Sequence, residues 1–170
     1  MQAMSQQPPS PMATPNGYSM LFVAHPVLAV NPTLYDRLPL NAGRDFTPVI
    51  LLSKMPHVLL TSTSLAATTR AGTHVHCKAR PGSLNFASGG AGTSIHLAGE
   101  LLMDAAAIDI RHVPYRGSAP AVTALMSGEV QLLFDATATA IGNLRNGRLR
   151  SMAIASLTRS LVLQDIPTFE

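Results

Sequence analysis

Leu84-Asn85-Phe86-Ala87-Ser88-Gly89-Gly90-Ala91-Gly92-Thr93-Ser94-Ile95-His96 reads as a short strand, a glycine-rich turn and the opening of a helix. Leu84 and Phe86 alternate with Asn85, the period of a strand. Gly89, Gly90 and Gly92 admit positive φ and let another group approach the backbone. Thr93 or Ser94 can cap the helix. Ile95, Leu97, Ala98, Leu101, Leu102 and Ala105 give that helix one apolar face. A helix that opens from glycines offers unpaired N–H groups and the positive end of its dipole, which favours a carboxylate or a phosphate. The same residues also suit a plain tight turn. They do not suit a nucleotide loop. A P-loop needs Lys before its Ser/Thr, where Gly92 stands, and a dinucleotide fingerprint needs a glycine where this chain has Ser94-Ile95.

Downstream, the pattern predicts a strand at Ile108–Val113, a loop at Pro114–Ser118 and a helix at Ala119–Ser127 ended by Gly128. A strand at Val130–Phe134, a helix at Thr137–Asn146 closed by Gly147 and a strand at Leu149–Ala155 follow. In the helix before Gly128, Val122, Leu125 and Met126 point inward. Strands alternating with helices of this length imply an α/β fold with a mostly parallel sheet. Ligands of such sheets sit outside the carboxyl ends of the strands. The loops after Phe86, Val113 and Phe134 are therefore expected on one edge, with Ser88–Thr93, Tyr115–Ser118 and Asp135.

Upstream, Met1–Pro15 is rich in Gln, Pro, Ser and Met and is expected to be a flexible tail. It has neither the basic n-region nor the apolar h-region of a secretory signal. Tyr18–Ala24 reads as a buried strand broken by Pro26, and Val27–Val30 as a short strand or turn. Asn31–Tyr35 reads as one capped helical turn with Pro at its first position. Leu38–Asp45 is a loop, Phe46–Leu52 and His57–Thr61 are strands, and Ser64–Arg80 is a helix of poor formers with almost no apolar stripe.

The 170 residues suffice for one domain with a sizeable core. With 46% apolar and 12% charged residues the chain is not of the highly charged disordered kind. No apolar run reaches the length of a membrane span. A formal charge of +3, scattered cations and no Trp argue against nucleic acid as a partner. Cys77 is the only cysteine, so no intrachain disulfide forms.

Catalytic candidates are sparse. His74, His76 and Cys77 cluster, but a structural zinc site takes four ligands and no second cluster exists, so neither a metal nor a cofactor is expected. His96 lies in the first turn of a helix, where the dipole disfavours an imidazolium, and reads as a hydrogen-bonding residue beside the glycine loop. His112 packs or faces solvent. Ser88, Ser94 and Ser118 lack the nucleophile-elbow context, and the acids show no spacing for acid–base work. Asp135 either caps the next helix or faces a cleft. Arg116 either pairs a carboxylate or is solvated. Binding is favoured over catalysis.

The run Pro81-Gly82-Ser83-Leu84-Asn85-Phe86-Ala87-Ser88-Gly89-Gly90-Ala91-Gly92-Thr93-Ser94-Ile95-His96-Leu97-Ala98-Gly99-Glu100-Leu101 resembles the Bug family, the extracytoplasmic solute-binding receptors of tripartite tricarboxylate transporters. His112 to Ala121, Gly128 to Asp135, Gly147 to Ala153 and Asp165 to Thr168 resemble further motifs of that family in the same order. Asn16 to Phe22, Asn31 to Pro39 and Asp45 to Val49 do so upstream. The resemblance implies a periplasmic binding protein of type II-like fold, whose two lobes close on a small carboxylate held largely by backbone N–H groups. It implies a periplasmic location, membrane components of the transporter as partners, and no enzyme activity.

Carried over, the ligand-binding residues are Ser88, Gly89, Gly90, Ala91, Gly92 and Thr93 in the anion loop, with His96 beside it. Tyr115, Arg116 and Gly117 lie on a neighbouring cleft loop, and Asp135 at the cleft edge. A full family member also has a signal peptide, a first glycine loop and a longer C-terminal part. This chain is thus expected to be truncated at both ends. Its expected parts are the tail 1–15, partial first-lobe strands and hinge at 16–55, the second lobe at 56–150, and the hinge return with part of the first lobe at 151–170. Arg70, Thr73, His74 and His76 replace an apolar helix face, and Ala136 replaces a polar residue. A non-binding remnant or scaffold is therefore an alternative, and a hydrolase a weaker one.

Overall fold

The computed structural model describes residues 16–35 and 41–169. The expected tail 1–15 and residues 38–40 of the expected loop lie outside the described residues. Five strands form one sheet: β1 (His57–Ser62), β2 (Asn85–Ser88), β3 (Arg111–Pro114), β4 (Leu132–Ala136) and β5 (Leu149–Ile154). Seven helices accompany them: α1 (His25–Ala29), α2 (Asn31–Leu34), α3 (Ala42–Asp45), α4 (Arg70–Ala79), α5 (Ser94–Ala106), α6 (Ser118–Ser127) and α7 (Thr137–Arg145).

The strand order is β3-β2-β4-β1-β5. β2 runs parallel to β3 and β4, whereas β1 runs antiparallel to β4 and β5. The expectation of a mostly parallel sheet holds for four strands, and β1 is the reversed one. β1 leads through α4 to β2, which is not its neighbour in the sheet, so that connection imposes no parallel pairing. The carboxyl ends of β2, β3, β4 and β5 and the amino end of β1 share one edge.

Right-handed crossovers then assign the faces. The β2-to-β3 connection through α5 moves outward in the sheet, and the connections through α6 and α7 move the other way. α5 therefore covers one face and α6 and α7 the other. α5 packs on β2 and β4 through Ile95, Ala98, Gly99 and Leu102. Leu101, expected on that apolar face, is exposed. Gly99 permits the contact, because a Cβ there would lie 2.2 Å from Phe86 Cε2. Phe86, Leu132, Leu133, Phe134, Val58 and Leu60 form the buried centre, and Phe169 stacks on Phe134 with centroids 6.0 Å apart.

The first part of the chain departs most from expectation. Tyr18–Ala24 and Phe46–Leu52 form no strand. Tyr18, Met20, Phe22, Val49, Ile50, Leu51 and Leu52 are exposed. An apolar extended segment becomes a strand only against a ladder partner and a surface to pack on, and no described strand pairs with either segment. Pro26 does not simply break a strand. It starts α1, where its missing N–H costs nothing. Asn31–Leu34 is the expected helical turn. Ala42–Asp45 is helical where a loop was expected, with Asn41 Oδ1 accepting the Arg44 N–H at 3.0 Å as its cap. The expected helix at Ser64–Arg80 is confined to Arg70–Ala79, started by the Thr69 cap.

Candidate functional site

The glycine loop leaves β2 at Ser88, which is fully buried. Ser88 Oγ accepts the Gly90 N–H at 3.1 Å and lies 2.6 Å from His112 Nε2 on β3. Thr93, rather than Ser94, caps α5. Its Oγ1 accepts the His96 N–H at 3.3 Å and donates to Gly90 O at 2.7 Å. His96 Nδ1 accepts the Gly92 N–H at 3.3 Å, while its Nε2 lies 3.2 Å from Glu100 Oε1. These bonds hold the loop over the helix end. Gly90 and Gly92 have φ of 128° and 77°, which only glycine adopts without strain. Among the described residues no hydrogen bond engages the backbone N–H of Ala91, Ser94 or Ile95. The loop therefore presents donors at the positive end of a thirteen-residue helix.

Tyr115 N–H donates to Ser88 O at 2.9 Å and Gly117 N–H to Gly89 O at 3.2 Å, so the loop after β3 lies against the glycine loop. Tyr115 OH donates to Glu129 Oε1 at 2.8 Å, and burial with that carboxylate pushes the phenol up to about 12. Arg116 is exposed. Asp135 does not cap α7. The N-cap is Ala136, with no side-chain bond, and Asp135 Oδ1 accepts the Ala136 N–H at 2.9 Å. The other carboxylate oxygen of Asp135 is buried without a hydrogen-bond partner among the described residues. β2 and β4 are neighbours whose following helices lie on opposite faces. The glycine loop and Asp135 thus flank the switch point of the sheet, where open α/β folds leave a crevice.

His112 neither faces solvent nor merely packs. It stacks on Phe86 with centroids 4.8 Å apart and sits 4.2 Å from the His96 ring. Burial, helped by His96, lowers its pKa to about 4. The hydroxyl–imidazole pair missing from the sequence reading therefore exists as Ser88 and His112. Ser88 has no exposed surface for a substrate and its oxygen already holds the loop, so the pair is a latch for Gly90.

His57 stands at the amino end of β1, and its sequence context carries no site signal. Its Nε2 lies 3.1 Å from Ser94 Oγ. Only the reversed strand places it there. His74 Nε2 contacts Ala106 O, His76 Nε2 contacts Ser83 Oγ, and Cys77 is buried. Among the described residues no group of three or more His, Cys, Asp or Glu is arranged to hold a metal ion.

Sheet order, crossovers and a glycine loop at the switch point define the class. It is the type II-like α/β fold of periplasmic binding proteins. Comparison with known proteins narrows this. Residues 4–170 match the tripartite tricarboxylate transporter family receptor, TctC. The chain is 38% identical over 141 residues to a protein of Pseudomonas sp. strain P51 encoded in a tcbD–tcbE intergenic region, covering 83% of this chain and 42% of that protein. It is 33% identical over 154 residues to protein BugT of Bordetella pertussis, covering 90% of this chain and 47% of that one.

Among solved structures, a periplasmic transporter superposes with TM-score 0.80 at 35% identity, over 85% of this chain and 48% of that one. Rhodopseudomonas palustris MatC with bound malate gives 0.73 at 31% identity, over 79% and 46%. An R. palustris protein with adipate gives 0.76 at 31%, over 79% and 45%. The chain belongs to the tripartite tricarboxylate transporter receptor family, and it spans slightly under half the length of these relatives.

Proposed function

We propose that this chain is the ligand-anchoring part of a periplasmic solute-binding receptor and that its ligand is a small carboxylate. The observation that carries the reading is the triad of unpaired backbone N–H groups at Ala91, Ser94 and Ile95, presented by a latched glycine loop at the switch point. Such donors at a helix start hold a carboxylate without a full positive charge. Family membership, and relatives that bind malate and adipate, support the ligand class. In this reading Ser88 to Thr93 and His96 build the anion loop, Tyr115, Arg116 and Gly117 border it, and Asp135 selects among ligands. Residues 56–150 act as the second lobe, residues 16–55 as a partial first lobe and hinge, and residues 151–170 as the hinge return. The membrane components of a tripartite transporter would receive the ligand.

A thermal-shift series of the 170-residue protein with malate, adipate, citrate, succinate, glutamate and nicotinate tests this. A carboxylate at about 100 times its Kd adds roughly 2.7 kcal/mol, a rise of several degrees. Gly90→Ala, strained at its positive φ, is expected to lose that rise. A cooperative melt that no carboxylate moves would support a non-binding scaffold instead.

A further inference from the structure

We propose that His57 turns the Ser94 hydroxyl into a donor toward a bound carboxylate, so that the site takes up a proton together with its anion. This rests on the receptor reading above. Ser94 is the first residue of α5 and its backbone N–H is unpaired, so an anion on the helix end lies within reach of its hydroxyl. That hydroxyl is 3.1 Å from His57 Nε2, and one proton occupies the line between them. If Nε2 is bare, it accepts the Ser94 O–H, and Ser94 offers an anion only lone pairs. If Nε2 carries a proton, it donates to Ser94 Oγ, and the Ser94 O–H turns toward the anion. Both the neutral Nε2–H tautomer and the imidazolium free the hydroxyl, but the negative charge of a ligand selects the imidazolium.

The surroundings fit a residue that charges on binding. Burial pushes the His57 pKa down, Asp135 opposes that, and His25 of α1 adds to it. Just past the end of β5, the Ala155 backbone N–H donates to His57 O at 2.8 Å. The buried Asp135 oxygen without a partner leaves an acceptor at this edge that no described donor satisfies. In the empty site His57 is therefore neutral near pH 7. A bound anion adds the second negative charge that tips it to the cation.

The test is calorimetric titration of the whole chain with malate, in buffers of two ionisation enthalpies, from about pH 8 to about pH 5.5. Wild type should take up more protons per malate bound than His57→Gln, a difference in which the ligand's own titration cancels. Its affinity should rise as pH falls, by at most about tenfold per pH unit, and this slope should flatten in His57→Gln. Ser94→Ala, which keeps the imidazole but removes the hydroxyl, should flatten it too. Equal proton uptake in wild type and both variants overturns the role of His57 and leaves the receptor reading standing. Absence of binding to malate and adipate in wild type at every pH overturns the receptor reading, and the inference with it.

Discussion

His112 is held neutral by its position between Phe86 and His96, with a pKa of about 4 against an ordinary 6.5. Below about pH 6.5 the unfolded chain binds a proton that the folded chain refuses. Stability from this group is therefore complete above that pH and is lost as pH falls toward about 4. His57, also shifted down by burial, acts in the same direction. A melting series from pH 7 to pH 4 should show Tm falling through this window, and His112→Asn should fall less steeply. An identical slope in that variant would refute the assignment. Thr93 offers a second test. Its Oγ1 makes both the cap to His96 and the bond to Gly90. Thr93→Ala should cost about 1 kcal/mol by urea unfolding, and Thr93→Ser should recover most of it. The cap was legible in the sequence as a Thr–Ser choice. The Ser88–His112 latch was not, because its residues are 24 apart and meet only through the β2–β3 register that pairs Phe86 with His112.

At the scale of the element, α5 is the piece that both builds the site and closes the core. Its contact with β2 depends on Gly99, where an added methyl would overlap the Phe86 ring. Gly99→Ala should destabilise the fold by about 1–3 kcal/mol through overpacking. Adding Phe86→Leu should relieve part of that loss, which a double-mutant cycle would show as coupling. Additive effects would mean that the helix sits further from β2 than described. The elements from β2 to β5 were legible because helical and strand periods alternate there and glycines punctuate them. Their bounds moved by one to three residues, β3 starting at Arg111 and β4 shifting to Leu132–Ala136. Residues 18–24 and 46–52 carry a strand-like pattern and yet form no strand, for one reason. Apolar content signals burial, and whether a segment pairs as a strand depends on neighbours that periodicity does not reveal.

Across the whole molecule, a well-packed sheet is accompanied by two exposed apolar stretches in the amino-terminal part of the chain. Phe22 is 80% exposed and Val49 81%. Extended, unpaired and apolar backbone of this kind promotes association. Light scattering should show concentration-dependent assembly of the wild-type chain. Phe22→Ser with Ile50→Thr should reduce it while leaving the melting free energy within about 0.5 kcal/mol, since neither residue is in the core. A loss of several kcal/mol would mean that these segments contribute to the folded core.

The chain's own residues determined the α/β alternation, the glycine loop on a helix start and, through motifs in a fixed order, the family. These are local properties, encoded in spacing and in the backbone freedom of a few residues. Only the tertiary structure decided the direction of β1, the neutral His112 and the meeting of His57 with Ser94. Each depends on which strand lies beside which, and that is a matter of global packing rather than of any single stretch of sequence.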